Sequence, residues 1–161
     1  MTLEEYAARI VTELKESWLP RLYCDRILKM RTRAYHFPEL RRNIKVEIQH
    51  TLLGVELKLS RRRLLCPDLA TARYLSVFAK AGCRNVAVPY DITRVSQLAD
   101  ELESSWYRML LLADDTAAPQ PHSLRTRLRG LLIAKLRGQI AAAGAGASIP
   151  EFKQNTKQRR S

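Results

Sequence analysis

The chain has 161 residues, of which 46% are hydrophobic and 27% charged, a balance that suits one packed domain and excludes wholesale disorder. Its formal net charge of +12 favours a polyanionic partner. The sequence lacks an apolar run of membrane-spanning length, a basic secretory leader and a disulfide framework, since its three cysteines lie far apart. We therefore expect a cytoplasmic protein that does not act at a membrane.

Prolines divide the chain into segments in which apolar residues recur every three or four positions, the spacing of amphipathic helices. This periodicity predicts a shorter opening helix over 3–18 and four longer helices over 20–38, 38–63, 67–85 and 91–113. Gly82 lies near the end of the fourth helix, and Asp91 can cap the start of the fifth. The short run Asn85 to Tyr90 has β-branched residues but no alternating partner, so we interpret it as a loop between helices.

Beyond these helices, the composition of the chain changes. Residues 114–123 combine acidic residues, Pro and small residues, while 124–140 return to a helical apolar spacing with basic residues between. The sequence therefore predicts an all-α protein: a four-helix bundle over 1–114, a linker over 115–123, an amphipathic basic helix over 124–142 and a flexible basic tail over 143–161. The apolar seam of 91–113 is typical of such a bundle.

The chain shows no assembled catalytic or metal-binding motif. Three histidines lie apart from one another, and the metalloprotease, nucleophile-elbow and phosphate-loop patterns are missing from the sequence. The carboxylates of Asp100 and Glu103 lie one turn apart on a helix face that we interpret as solvated. We therefore predict no catalytic residues, no metal, no cofactor and no enzymatic activity.

Positive charge concentrates in two zones. Residues 21–63 carry 12 basic and 4 acidic side chains, and 116–161 carry nine and one, whereas 89–115 carry two and six. Three clusters are candidate nucleic-acid contacts: Arg73, Lys80 and Arg84 on one face of the fourth helix; Arg41, Arg42 and Lys45 near a helix start; and Arg61, Arg62 and Arg63 at a helix end. The last cluster fits helix capping as well as it fits binding.

Three segments carry a resemblance: FPELRRNIKVEIQHTLLGVELKL (37–59), LATARYLSVFAKAGCRNVAVP (69–89) and DITRVSQLADELESSWYRML (91–110). Their pattern of helix lengths and prolines resembles the accessory variability determinant of diversity-generating retroelements, and more distantly the four-helix proteins of ribosomal-RNA intervening sequences. The resemblance implies a basic four-helix bundle that forms a homopentamer. It also implies binding to a reverse transcriptase and its template RNA, with the family's basic positions falling near Arg73, Lys80 and Arg84.

Two classes of function follow from these features. The first is a non-enzymatic accessory protein that binds template RNA and a reverse transcriptase and supports mutagenic cDNA synthesis. The alternatives are a helical protein–protein interaction module and a generic RNA-binding bundle of the intervening-sequence type. A DNA-binding helix-turn-helix fits worst, because the predicted helices are too long and their apolar seams too continuous.

Overall fold

A computed structural model of the chain describes residues 1–38, 40, 44–118 and 121–146, and it contains both helices and sheets. Its elements are α1 (Leu3–Leu14), α2 (Leu19–Leu22), β1 (Thr32–His36), β2 (Val46–Thr51), β3 (Gly54–Leu59), β4 (Arg62–Cys66), α3 (Leu69–Ala81), β5 (Asn85–Pro89), α4 (Ile92–Ala117) and α5 (His122–Ala143). A 3-10 turn (Lys15–Ser17) and a π-helical turn (Tyr23–Ile27) flank α2. The predicted all-α four-helix bundle is therefore wrong, and the fold is mixed α/β.

The helices with clear end signals form where the sequence predicts them. Thr2 and Glu5 make a reciprocal capping box at the start of α1. Asp68 accepts a hydrogen bond from the backbone of α3, which ends at a left-handed Gly82 with φ of 79°. Asp91 caps α4 as predicted. These local signals specify helices irrespective of the rest of the fold.

The segment 38–63, predicted to be one helix, instead contributes strands to a three-stranded antiparallel sheet of order β2-β3-β4. Apolar residues alternate with polar ones along β2 and β3. Leu57 and Leu59 of β3 are buried, and Ile48 and Val46 of β2 lie opposite them in the register. The helical interpretation needs Leu52 in the core. It lies instead in the two-residue turn between β2 and β3, fully exposed.

A second, two-stranded antiparallel sheet joins β1 to β5, so the predicted helix over 20–38 and the predicted loop over Asn85 to Tyr90 are both wrong in part. Two buried tyrosines support β5. The hydroxyl of Tyr74 donates to the carbonyl of Ala87, and the amide of Ala87 donates to the hydroxyl of Tyr23. Tyr23 in turn donates to the carbonyl of Gly144, which connects β5 to the end of α5.

Helix α5 packs against the rest of the core. Its apolar side chains Leu128, Leu132, Leu136 and Ile140 are completely buried. Arg129 makes two hydrogen bonds of 2.8 and 2.7 Å to Asp114 of α4. The predicted linker is short, because α4 continues to Ala117 and α5 begins at His122; most of the predicted tail, 147–161, lies outside the described residues. None of the helices in the described part of the chain is long and apolar enough to cross a membrane.

Candidate nucleic-acid interface

The turn between β3 and β4 gathers basic side chains that are separated in the sequence. Leu59 pairs with Arg62 across this turn, so only Ser60 and Arg61 connect the two strands. Ser60 adopts a positive φ of 57°, which suits a two-residue hairpin turn. Its amide donates to the carbonyl of Lys45 at 3.0 Å, and this bond brings the residue that precedes β2 to the same end of the sheet.

Lys58 completes the cluster, because in the register it lies opposite Glu47 of β2 and Arg63 of β4. We call these five basic residues the hairpin patch: Lys45, Lys58, Arg61, Arg62 and Arg63. All are exposed except Lys58, which is half-buried. Since side chains alternate along a strand, Arg62 and Arg63 project from opposite faces of β4. Arg61 precedes them in the turn between β3 and β4. The patch therefore presents positive charge on both sides of the hairpin end.

Two carboxylates neutralise part of this charge. Nζ of Lys45 lies 3.3 Å from Glu47, and Nη1 of Arg63 lies 3.7 Å from Oε1 of Glu56. The side chains of Lys45 and Arg63 remain 79% and 57% exposed, so both cations are open to water. The Lys45–Glu47 pair is therefore weak, whereas Arg63 pairs with a carboxylate that is largely buried. Among the described residues, Lys58, Arg61 and Arg62 form no ion pair within 4.0 Å. The patch therefore keeps a surplus of positive charge that faces solvent.

The structural role that the sequence allowed for Arg61 to Arg63, capping a helix, is excluded, because these residues belong to a hairpin. A different structural role remains: charges on an edge strand prevent it from pairing with another chain, and β4 is an edge strand. This role does not explain Lys58, which belongs to the central strand β3. The edge role extends to Lys45, which precedes the other edge strand, β2. A bound anion would be a common partner for all five residues, Lys58 included.

The three basic residues predicted to share one face of α3, Arg73, Lys80 and Arg84, do not form a single exposed basic surface. Arg73 is bound to α4: its Nε and Nη2 atoms donate to Glu103 at 3.0 and 2.6 Å, and it also contacts Asp100. These hydrogen bonds to Glu103 and Asp100 raise the pKa of Arg73 above its usual range. The guanidinium is therefore already neutralised, and Glu103 and Asp100 of α4 have a partner within the protein.

The other members of the predicted site lie apart from Arg73 or outside the description. Lys80 is exposed near the end of α3, and Arg84 is exposed after Gly82, where its carbonyl accepts a hydrogen bond from Phe37. Arg41 and Arg42 lie outside the described residues. The structure thus brings together Lys45 and Arg61 to Arg63 at one end of the three-stranded sheet, whereas Arg73 and Lys80 belong to α3.

The side chains that could take part in catalysis have structural contacts or are buried. His36 shares a hydrogen bond with Asn85, and the carboxylates of Asp100 and Glu103 bind Arg73. Burial raises the pKa of the Cys83 thiol to about 12, although the nearby Arg137 opposes this, so the thiol is a weak nucleophile at neutral pH. Within the described ranges, His, Cys, Asp and Glu form no group of three that could hold a metal ion.

Comparison with models of known families, with curated proteins and with solved structures finds no match for this chain. The resemblance proposed from sequence depends on three segments. The second and third contain α3 and α4, but most of the first, 37–59, forms β2 and β3 in place of the expected helix. The four-helix pattern that carried the resemblance is thus present only in part.

Sequence reasoning missed one member of the patch, Lys58, because it grouped only the adjacent residues Arg61 to Arg63. The alternation of Val55, Leu57 and Leu59 with Glu56 and Lys58 was the available signal. Read as a strand, this run and the following Ser60-Arg61 turn would have placed Lys58 beside the three arginines.

Proposed function

We propose that this protein binds RNA through the hairpin patch and does so without catalysing a reaction. The observation that carries the proposal is the convergence of five basic side chains at one end of a sheet, from the residue before β2, from β3, from β4 and from the turn between β3 and β4, with two carboxylates beside them. The strongly basic composition of the whole chain supports a long-range attraction to such a polyanion. The phosphates of the RNA backbone would contact the exposed guanidinium and ammonium groups.

The expected affinity is dominated by phosphate contacts and depends on salt. Each cation that neutralises a phosphate of a single strand releases condensed counterions and adds a slope of about 0.7 in log K against log salt. At 0.1 M salt this release corresponds to about a fivefold gain in affinity for each contact. Three contacts therefore account for about 100-fold.

The narrower prediction, that the RNA is the template of a reverse transcriptase and that the protein forms a homopentamer, rests on the resemblance alone. Its first segment forms strands rather than a helix, so what remains of the expected pattern is the helices α3 and α4 and a basic surface. We keep RNA as the proposed ligand, because the hairpin patch supports it independently. The polymerase and the subunit number stay predictions.

The test compares two variants of equal charge. Lys58→Gln/Arg61→Gln/Arg62→Gln removes three charges from the patch, and Arg63 is left intact because it pairs with the buried Glu56. The control variant, Arg9→Gln/Lys15→Gln/Arg127→Gln, removes three exposed charges from elements outside the sheet, so both proteins carry a net charge of +9.

Fluorescence anisotropy with a labelled 12-nucleotide RNA at 0.1 M salt measures the affinity of each variant. We expect about a 100-fold loss for the patch variant and less than a fivefold loss for the control. Equal losses in the two variants would show that only the net charge matters and would refute the assignment of the patch. Circular dichroism of both variants establishes that each is folded.

A second candidate function is supported by the opposite end of the sheet. Leu52 and Leu53, in the turn between β2 and β3, are 106% and 78% exposed, and Leu65 of β4 is also exposed. Exposed apolar side chains at a hairpin tip favour a protein partner. A complex isolated from cells that survives 1 M salt, and that Leu52→Ser/Leu53→Ser abolishes, would favour an interaction module, since affinity for phosphates falls steeply with salt.

A further inference from the structure

A groove lies where the two-stranded sheet meets the start of α4. Its walls are Met30, Arg31, Pro89, Tyr90, Asp91 and Arg94, and its volume is about 490 Å³. This volume falls in the range of pockets that bind small organic groups. The groove belongs to different elements from the hairpin patch, and no pattern in the sequence groups its residues.

The groove contains a cation–π pair. The guanidinium of Arg31 lies over the ring of Tyr90, with its carbon 5.3 Å from the ring centre. The amide of Tyr90 also donates to the carbonyl of Arg31 at 3.1 Å, which fixes the two backbones side by side. Tyr90 is nevertheless 48% exposed, so part of this tyrosine faces solvent. An aromatic ring in this position is available for stacking.

The charges around the groove favour an anion on one side. Arg31 and Arg94 are both exposed, and each contributes a guanidinium to the lining. Asp91 is the acidic residue of the lining, and its Oδ1 accepts a hydrogen bond from the amide of Thr93 at the helix start. Two cations and one carboxylate leave a net positive charge next to the Tyr90 ring.

From this geometry we infer that the groove binds one unpaired nucleotide of the RNA. The base stacks on the exposed part of the Tyr90 ring beside Arg31, and the phosphate of the same nucleotide contacts Arg94. Proteins recognise single-stranded RNA in this way, since its bases are free to stack on aromatic rings and guanidinium planes, whereas bases in a duplex already stack on one another. The inference rests on the proposed RNA binding and adds a preference for single strands.

The test measures the affinity for a labelled 12-nucleotide single-stranded RNA and for a blunt duplex of the same sequence. Tyr90→Ala removes the ring, Tyr90→Phe keeps it, and Tyr107→Ala removes a tyrosine of α4 that is 62% exposed. We expect Tyr90→Ala to weaken single-strand binding about tenfold and to leave duplex binding within twofold. Tyr90→Phe and Tyr107→Ala should bind both RNAs as the wild type does.

Arg94→Gln provides a second readout that does not depend on the ring. It should reduce the slope of log K against log salt by about 0.7 for the single strand, as expected for one lost phosphate contact. An unchanged slope would place the phosphate elsewhere and overturn this part of the inference.

The binding experiments distinguish a failure of the groove assignment from a failure of the proposed function. If the hairpin-patch variant loses RNA binding while Tyr90→Ala binds the single strand within twofold of wild type, the groove is not a nucleotide site and the patch assignment stands. If Tyr90→Ala weakens single-strand and duplex binding equally, stacking on an unpaired base is refuted. If the wild type binds neither RNA at low salt, the proposed function fails and the groove assignment fails with it.

Discussion

Helix α5 gives a sharp test of the fold, because the sequence suggests a helix attached through a linker and the structure makes it part of the core. Leu132 of α5 is completely buried. Leu132→Ala removes its side chain beyond Cβ and leaves a space that the neighbours fill only partly. Such substitutions lower the free energy of unfolding by about 2–5 kcal/mol.

The expected shift follows from the size of the protein. For domains of this length, each kcal/mol changes the melting temperature by about 2–4 °C. A loss of about 3 kcal/mol therefore predicts a decrease of about 6–12 °C in a single cooperative transition. Differential scanning calorimetry measures this decrease. The matched control is Leu111→Ala on α4, where the side chain is 60% exposed and the expected change is below about 0.5 kcal/mol.

Two results would refute the integration of α5 into the core. The first is a melting temperature for Leu132→Ala within 1–2 °C of the wild type, roughly the shift expected for a surface substitution. The second is a calorimetric trace with two transitions of which only one responds to the substitution, as expected for a helix that folds separately from the rest.

Two further predictions concern side chains whose environments the structure defines. Arg73→Gln should leave RNA affinity within twofold in the anisotropy assay, because Arg73 already binds Glu103; a loss as large as that of the patch variant would contradict this assignment. Burial raises the pKa of Tyr23 to about 12, so the folded state keeps a proton that the unfolded chain releases near pH 10. The resulting stability is fully present below pH 10 and is lost as the pH rises towards 12. The urea midpoint should therefore fall between about pH 10 and about pH 12, and a fall of the same steepness in Tyr23→Phe would exclude Tyr23 as a cause.

The sequence located the helices that carry local end signals and predicted helices where the strands β1 to β4 form, for a physical reason. Asp68, Gly82 and Asp91 are local signals, since each satisfies or terminates hydrogen bonds of its own helix. A strand has no such internal signal, because its hydrogen bonds go to a partner elsewhere in the chain. β1 and β5 show this directly: they are separated by some 50 residues, and neither run has a neighbour in sequence with which to pair.

The candidate site was predictable in part. Arg61 to Arg63 are adjacent in the sequence, so their concentration of charge was visible whatever the fold. The position of Lys45 beside them depends on the sheet, since the amide of Ser60 bonds to its carbonyl, and a single helix could not supply this contact. Conversely, Arg73 looked available because its partners Asp100 and Glu103 lie about 30 residues later, on a helix whose packing against α3 is a tertiary property.

The central claim, that the hairpin patch holds RNA phosphates, is tested most directly by salt dependence. The measurement is the slope of log K against log salt from 50 to 300 mM for a single-stranded 12-nucleotide RNA. We predict that Lys58→Gln/Arg61→Gln/Arg62→Gln has a slope shallower than the wild type by about 2, or 0.7 for each lost contact. Parallel lines for the two proteins would contradict the claim, because three phosphate contacts cannot be lost without a change in the number of released counterions.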